Sequence, residues 1–172
     1  MELSISRANL EDADTIGRIT SRSWHAAYRG IVPKEYLAGI TPDFRAKKFR
    51  EVYPLLNGVE FYLIHADNEP VGVINLHECL KGDIPYCGEI GVFYFLPDYW
   101  GKGLGDKAMS FALVRLQELG YHDAILWVLA ENSRARRFYE KHGFVLDGSS
   151  KVISLGKELV EVRYRQSLIR RT

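Results

Sequence analysis

Three glycines alternate with other residues in Gly101-Lys102-Gly103-Leu104-Gly105, between an apolar segment and a helix-like pattern. Glycine lets the backbone turn sharply and brings successive N–H groups close to a ligand. The start of the following helix adds unpaired N–H groups and the positive end of its dipole. This arrangement predicts a site for phosphate oxygens that is built from backbone amides.

Two known phosphate-binding patterns can be compared with this spacing. The ATP-binding P-loop requires glycine, four residues and then Gly-Lys-Ser/Thr, and no register of the segment supplies it. The dinucleotide pattern G-x-G-x-x-G/A is matched by Gly103, Gly105 and Ala108, and Glu131 follows the next apolar segment as a ribose-binding acid would. Few residues follow Glu131, which argues against a further series of βαβ units. A nicotinamide-dependent oxidoreductase and a ligand-free tight turn stay as alternatives.

The residues on both sides of the glycines extend the pattern. The segments EIGVFYFLPDYWGKGLGDKAM and WVLAENSRARRFYEKHGF, within residues 89–144, resemble the GNAT superfamily of acyl-CoA-dependent N-acetyltransferases. The family loop reads Arg/Gln-x-x-Gly-x-Gly/Ala, and Trp100 replaces the Arg or Gln, which removes one hydrogen-bonding side chain near the pyrophosphate. The resemblance implies acetyl-CoA as the cofactor, with its phosphates bound by backbone amides from Gly101 to Asp106.

The resemblance also implies how the rest of the cofactor is bound. Family members splay two parallel strands apart at a bulge, so the amide of Phe95 is expected to bind the thioester carbonyl. Asn132 is either the N-cap of the next helix or a hydrogen-bonding partner of the cofactor arm. The expected cofactor contacts are Phe93, Phe95, Trp100, Gly101, Lys102, Gly103, Leu104, Gly105, Asp106, Asn132, Ala135 and Tyr139.

Acetyl transfer to an amine requires a base for the amine, donors for the oxyanion and an acid for the leaving thiolate. In the family, the Tyr of an Asn…Phe-Tyr-Glu pattern points at the cofactor sulfur, which makes Tyr139 the expected general acid. Glu89 stands where some members have a catalytic glutamate, and an apolar setting can raise a carboxyl pKa. His77 and Glu78 are alternative bases, and many members use a water chain instead.

The acceptor side is expected at the end of the first helix, where Trp24 and Tyr28 supply aromatic side chains. The partner is a small-molecule or peptide amine, and no residue identifies which amine. A second hypothesis is a non-catalytic acyl-CoA-binding sensor on the same fold. The basic residues of the last helix either face the 3′-phosphate of the cofactor or form a solvated surface: Arg134, Arg136, Arg137 and Lys141.

The elements that must position these residues form one α/β domain over residues 1–172. Apolar alternation predicts several strands, and the final segment, 159–168, has the pattern of an edge strand. A helix is predicted from Asp106 to Leu119. The resemblance implies a mixed, mostly antiparallel sheet of about six to seven strands flanked by about four helices. Its splayed parallel strands would be 88–96 and 124–129.

Composition limits the class of protein. The 172 residues carry a formal net charge of +1, which disfavours nucleic-acid binding through bulk positive charge. No apolar run reaches the roughly 20 residues of a membrane span, and the first residues lack the apolar core of a secretory signal. Cys79 and Cys87 are expected to be plain thiols in a cytoplasmic protein without a metal site. An exposed last strand would be compatible with a homodimer.

Overall fold

A seven-stranded sheet forms the centre of the structure, a computed structural model that describes residues 1–169. The strands are β1 (Leu3–Arg7), β2 (Glu60–Ala66), β3 (Glu69–Glu78), β4 (Cys87–Phe95), β5 (Asp123–Leu129), β6 (Val145–Ser154) and β7 (Glu158–Ser167). Their order across the sheet is β1-β2-β3-β4-β5-β7-β6, and only β4 and β5 are parallel neighbours. The predicted mixed, mostly antiparallel sheet is confirmed.

Five helices accompany the sheet, where about four were expected. They are α1 (Ala13–Ala27), α2 (Lys34–Ala38), α3 (Pro42–Val52), α4 (Leu104–Glu118) and α5 (Ser133–Lys141). Helix α1 packs closely on α3 at Gly17. A Cβ at this position would lie only 2.5 Å from the Pro42 carbonyl oxygen, so the close packing requires glycine. Helix α4 buries Ala108, Met109 and Ala112 at helical spacing, so its apolar face belongs to the main core.

The two parallel strands separate soon after they begin. Pairing between β4 and β5 extends only from Cys87 to Glu89 on the β4 side. In the ladder with β3, Asn75 faces Val92 and Leu76 faces Ile90, so Gly91 is the extra residue of a bulge. The splayed strands and the bulge that the family resemblance implied are therefore present. A gap opens between β4 and β5 on the side of the glycine loop.

Two predicted details are wrong. The last strand is not an edge strand, because β7 pairs with both β5 and β6, and β6 occupies the edge. Both faces of β7 are partly covered, since Tyr164 on one face is fully buried and Arg163 on the other is 4% exposed. Helix α4 begins at Leu104 rather than Asp106, because Gly103 takes a φ of +78° and acts as its N-cap.

The described part of the chain covers almost all of the predicted domain, but residues 170–172 lie outside it. Within residues 1–169, no helix is both long and apolar enough to cross a bilayer. The same residues contain no group of three or more His, Cys, Asp or Glu side chains arranged to hold a metal ion. Cys79 and Cys87 are both buried free thiols.

Candidate active site

The glycine loop exposes backbone amides next to open space. Gly101 and Gly103 have φ values of +71° and +78°, and a Cβ at either position would meet no atom within 4 Å. Gly103 provides no side-chain cap for α4, so the first N–H groups of this helix have no capping partner. Gly105 has a different role, since its Cβ would lie 3.2 Å from the Phe138 ring, where α4 approaches α5.

A cavity of about 310 Å³ lies against this loop. It collects most of the predicted cofactor contacts, which come from β4, the glycine loop, α4 and α5: Phe93, Phe95, Trp100, Gly101, Gly103, Gly105, Asp106, Ala135 and Tyr139. Three predicted contacts do not line it, and one of them, Asn132, lines a second cavity described below. The Leu104 side chain is buried in the core, and the Lys102 ammonium lies 5.2 Å from the centre of the Tyr99 ring.

The charge of Asp106 is balanced at the edge of this cavity. Its carboxylate accepts hydrogen bonds from Lys141 Nζ at 2.9 Å and forms a 2.7 Å contact with His142 Nε2. The Lys141 hydrogen bond, followed by that of His142, holds the pKa of Asp106 below its usual range. The start of α4 therefore presents amides to the cavity without an unpaired carboxylate beside them, which fits an anionic ligand.

A second cavity, of about 210 Å³, continues from the first into the gap between β4 and β5. Phe93, Phe95, Trp100, Arg134, Ala135 and Tyr139 line both cavities. Beyond them the second cavity reaches Tyr28, Glu89 and Trp127. The two cavities thus form one path from the glycine loop to the middle of the splayed strands, with Tyr139 at their junction.

The backbone of Phe95 faces the gap between the splayed strands. The amide of Leu96 donates to the Val71 carbonyl at 2.8 Å, which makes Leu96 and Val71 a hydrogen-bonded antiparallel pair. Because such pairs alternate, the N–H and C=O of the preceding residue, Phe95, point away from β3. Strand β5 has already diverged at this level, so the Phe95 amide has no strand partner on that side.

Tyr139 has the protonation state of a potential proton donor. Burial, together with the nearby Tyr94 phenol, raises the pKa of Tyr139 above that of free tyrosine, and the charge of Arg134 partly opposes this rise. The phenol is therefore protonated at neutral pH. Tyr139 packs between Phe138, at a ring distance of 5.6 Å, and Phe144, at 6.2 Å, which restricts its orientation.

Asn132 has the N-cap geometry that was one of its two predicted roles. Its side-chain oxygen accepts a hydrogen bond from the Ala135 amide at 3.2 Å, which satisfies one donor at the start of α5. The residue is 8% exposed and lines the smaller cavity. The NH₂ group of the same side chain keeps two donors, so capping does not use up its hydrogen-bonding capacity.

Among the three candidate bases, only Glu89 lines a cavity. Glu89 is 8% exposed, and its carboxylate accepts a long hydrogen bond of 3.5 Å from the Leu80 amide. His77 lies opposite Glu89 across β3 and β4, and its Nδ1 is 2.7 Å from the Glu78 carbonyl oxygen. Neither His77 nor Glu78 is part of either cavity wall.

The predicted acceptor residues differ in their access to the cavity. Tyr28 lines it, and burial, followed by the Tyr94 phenol, raises the pKa of Tyr28 well above its usual value. Trp24 lies behind Tyr28 at a ring distance of 4.8 Å and lines neither cavity. The Arg45 guanidinium lies over the Trp24 ring, 4.1 Å from the ring centre.

The sequence interpretation missed three residues of the acceptor end: Trp127, Lys151 and Glu161. The Lys151 ammonium lies 4.2 Å from the Trp127 ring centre and 3.4 Å from a Glu161 carboxylate oxygen. A tryptophan inside the otherwise aliphatic segment of β5 was an available signal. No comparable signal marked the other two, because their position depends on β7 lying between β5 and β6.

Comparisons with known proteins agree with this geometry. A model of the acetyltransferase (GNAT) family matches residues 23–144. The chain is 46% identical over 149 residues to an uncharacterized N-acetyltransferase of Archaeoglobus fulgidus, covering 80% of this chain and 89% of that protein. It is 25% identical over 151 residues to a spermidine N(1)-acetyltransferase of Thermoplasma acidophilum, covering 86% and 91%, respectively.

A solved structure extends the likeness to the whole fold. The PaiA N-acetyltransferase of Thermoplasma acidophilum, crystallised in complex with coenzyme A, superposes with a TM-score of 0.74. The two sequences are 23% identical, and the match covers 97% of this chain and 99% of that one. The fold, the matched family model and the relatives lead to one conclusion. As its sequence motifs predicted, the chain belongs to the acetyltransferase (GNAT) family.

Proposed function

We propose that this protein moves the acetyl group of acetyl-CoA directly to a primary amine of a small molecule or peptide, with both substrates bound together. One observation carries the proposal. The cavity along the glycine loop and the cavity between the splayed strands meet at Tyr139, beside the outward-facing Phe95 amide. A thiol-linked acyl group and an amine can therefore approach the same point from two sides.

The residues of the two cavities fit the parts of the cofactor. Amides of the loop from Gly101 to Asp106 suit its phosphates, because they face open space and carry no competing cap. The aromatic walls, such as Phe93 and Phe138, suit its apolar arm. When bound, acetyl-CoA supplies an activated acetyl thioester. Asn132 offers its NH₂ group to the amides of the arm.

The proposed roles follow from the side chains at the junction. The Phe95 amide donates a hydrogen bond to the thioester oxygen as negative charge develops there. Tyr139 donates its phenolic proton to the leaving thiolate, the conjugate base of a thiol whose pKa is about 8.5. Glu89 accepts a proton from the attacking amine, because it is the candidate base that faces the cavity.

An amine acceptor suits the far end of the smaller cavity. Glu89 and Glu161 place two carboxylates in its wall, the second of them paired with Lys151, and Tyr28, Tyr94 and Trp127 add aromatic rings. Carboxylates and aromatic faces both attract alkylammonium groups. The relative that is named a spermidine acetyltransferase supports the same class of acceptor.

A thiol-release assay across classes of amine tests this proposal. We expect acetyl-CoA to raise the melting temperature, because a ligand that binds only the folded state stabilises it. We also expect coenzyme A release above the amine-free rate with at least one class among amino acids, polyamines, aminoglycosides, peptide N-termini and protein lysines. Stabilisation without release on the whole panel would contradict catalysis and favour the acyl-CoA sensor. Stabilisation by NAD(P) but not by acetyl-CoA would favour the oxidoreductase.

A further inference from the structure

Arg134 stacks on Trp100, the residue that departs from the family loop pattern. The guanidinium carbon lies 3.4 Å from the centre of the Trp100 ring. The ring itself is held in place, because its Nε1 donates a hydrogen bond to the Phe95 carbonyl at 3.0 Å. The guanidinium plane is thus fixed at the junction of the two cavities, both of which it lines.

Arg134 has no anionic partner among residues 1–169. Desolvation by the neighbouring side chains lowers the pKa of its guanidinium, and no carboxylate offsets that effect. On the same helix, Arg136 donates to the Tyr164 hydroxyl at 3.0 Å and to the Ala130 carbonyl at 2.9 Å, and Lys141 pairs with Asp106. Arg134 is exposed and pairs with no carboxylate among the described residues, so its guanidinium is available to an anionic ligand.

Its place in the helix also favours an anionic partner. Arg134 is in the first turn of α5, at the positive end of the helix dipole, and that turn contains no acidic residue. Stacking occupies only one face of the guanidinium and leaves the N–H groups at its edge free to bind oxygens in a fork. Arg134 also shares the larger cavity with Gly101 and Gly103, whose backbone borders open space.

We infer that Arg134, held on the ring of Trp100, binds the diphosphate group of coenzyme A together with the glycine-loop amides. The inference rests on the proposed function, since it concerns the same cofactor. Trp100 is then a positioning residue that fixes the guanidinium. In this arrangement Arg134 on α5 supplies the hydrogen-bonding side chain that the family pattern places at position 100, where this chain has Trp100.

Titration calorimetry with truncated cofactors tests the assignment. The variant Arg134→Met keeps the apolar stem and removes the charge. We expect it to lose about ten- to a hundredfold in affinity for coenzyme A, because it loses a hydrogen bond between charged groups. The same loss is expected for dephospho-coenzyme A, which keeps the diphosphate, and none for pantetheine, which has no phosphate. Unchanged affinity for coenzyme A would overturn the inference, and a loss confined to coenzyme A would assign Arg134 to the 3′-phosphate instead.

The matched control is Arg137→Met, which removes an exposed charge from the same helix outside both cavities. An equal loss in this control would overturn the inference in favour of a general charge effect. Thermal melting of each variant without ligand separates lost binding from lost folding. If the wild-type protein itself binds none of the three compounds, the proposed function fails, and this outcome is distinct from a failure of the Arg134 assignment.

The role of Trp100 is tested by a double-mutant cycle with Trp100→Leu. The fold-loss in affinity for coenzyme A that Trp100→Leu causes is measured with Arg134 present and in the Arg134→Met background. If the ring positions the guanidinium, this loss should be at least about threefold smaller in the Arg134→Met background. Equal effects in the two backgrounds would show that Trp100 contacts the cofactor independently of Arg134. That result would overturn the role of Trp100 as a positioning residue.

Discussion

At the scale of single residues, Tyr139 combines burial with a position at the junction of the two cavities. Its raised pKa keeps the phenol protonated at neutral pH, so the proton that we propose it donates is in place when the thiolate departs. The nearby Arg134 charge lowers the pKa of this phenol and would stabilise the phenolate that the proposed transfer leaves behind. The proposed proton donor and the proposed diphosphate-binding side chain are therefore neighbours.

Replacing Tyr139 by Phe tests the acid role. We expect kcat at neutral pH to fall by about 10²- to 10⁴-fold, the usual contribution of a positioned acid. Affinity for coenzyme A should stay nearly unchanged, because the ring still fills its place. Steady-state kinetics and calorimetry measure the two effects. Tyr121→Phe, outside both cavities, is the control, and an unchanged kcat in Tyr139→Phe would remove the assignment.

At the scale of elements, the glycine loop and α4 are linked by a single conformational requirement. Gly103 has a φ of +78°, and this conformation starts the helix at Leu104 and turns its first amides toward the cavity. The sequence predicted the loop and the helix correctly but not this boundary. Three glycines at alternating positions are compatible with several types of turn. Only the backbone angles decide which glycine caps the helix.

Gly103→Val tests the loop. A β-branched residue at this φ costs about 1–2 kcal/mol in stability, and its side chain would fill the space next to the amides. We expect affinity for acetyl-CoA to fall at least about a hundredfold, or about 2.7 kcal/mol. Gly120→Val has a similar φ of +91° and equally open surroundings, but it lies outside both cavities. Retained binding in Gly103→Val, or equal loss in Gly120→Val, would contradict the loop assignment.

Another link between elements depends on pH. Glu60 on β2 accepts hydrogen bonds from Arg115 on α4 at 2.9 and 2.8 Å and pairs with Arg7 on β1. The Arg115 hydrogen bonds lead the causes that lower the pKa of Glu60 from 4.5 to about 2. Because the folded-state pKa is lowered, this stabilisation is complete above pH 4.5 and is lost as the pH falls toward 2.

Urea unfolding at several pH values measures this link. Glu60→Gln should reduce the free energy of unfolding at pH 7 by about 1–2 kcal/mol, a value reduced for solvent screening. Its stability should also fall less than that of the wild type between pH 4.5 and 2. Glu118→Gln removes a more exposed partner of the same arginine and should keep the wild-type pH profile. A Glu60→Gln profile parallel to that of the wild type would refute the assignment.

At the scale of the whole molecule, the order of the strands decides which residues form the site. The glycine loop, the splayed strands and the position of Tyr139 were predictable, because they lie in one continuous region, residues 89–144, with a specific pattern. The acceptor end was predictable only in part: Tyr28 was expected there, but Trp127 and Glu161 were not, because they come from distant segments. These meet only because β7 inserts between β5 and β6, and nothing local in the sequence encodes that insertion.

The central claim is that acetyl transfer occurs directly between two bound substrates, and single-turnover mass spectrometry tests it most directly. Wild-type protein is mixed with acetyl-CoA, with and without the amine that is active in the thiol-release assay, and quenched at short times. We predict acetylated amine only when both substrates are present, and an intact protein mass that never gains an acetyl group. Rapid formation of an acetyl-protein that then acetylates the amine would contradict direct transfer, and absence of acetylated amine would contradict the proposed activity.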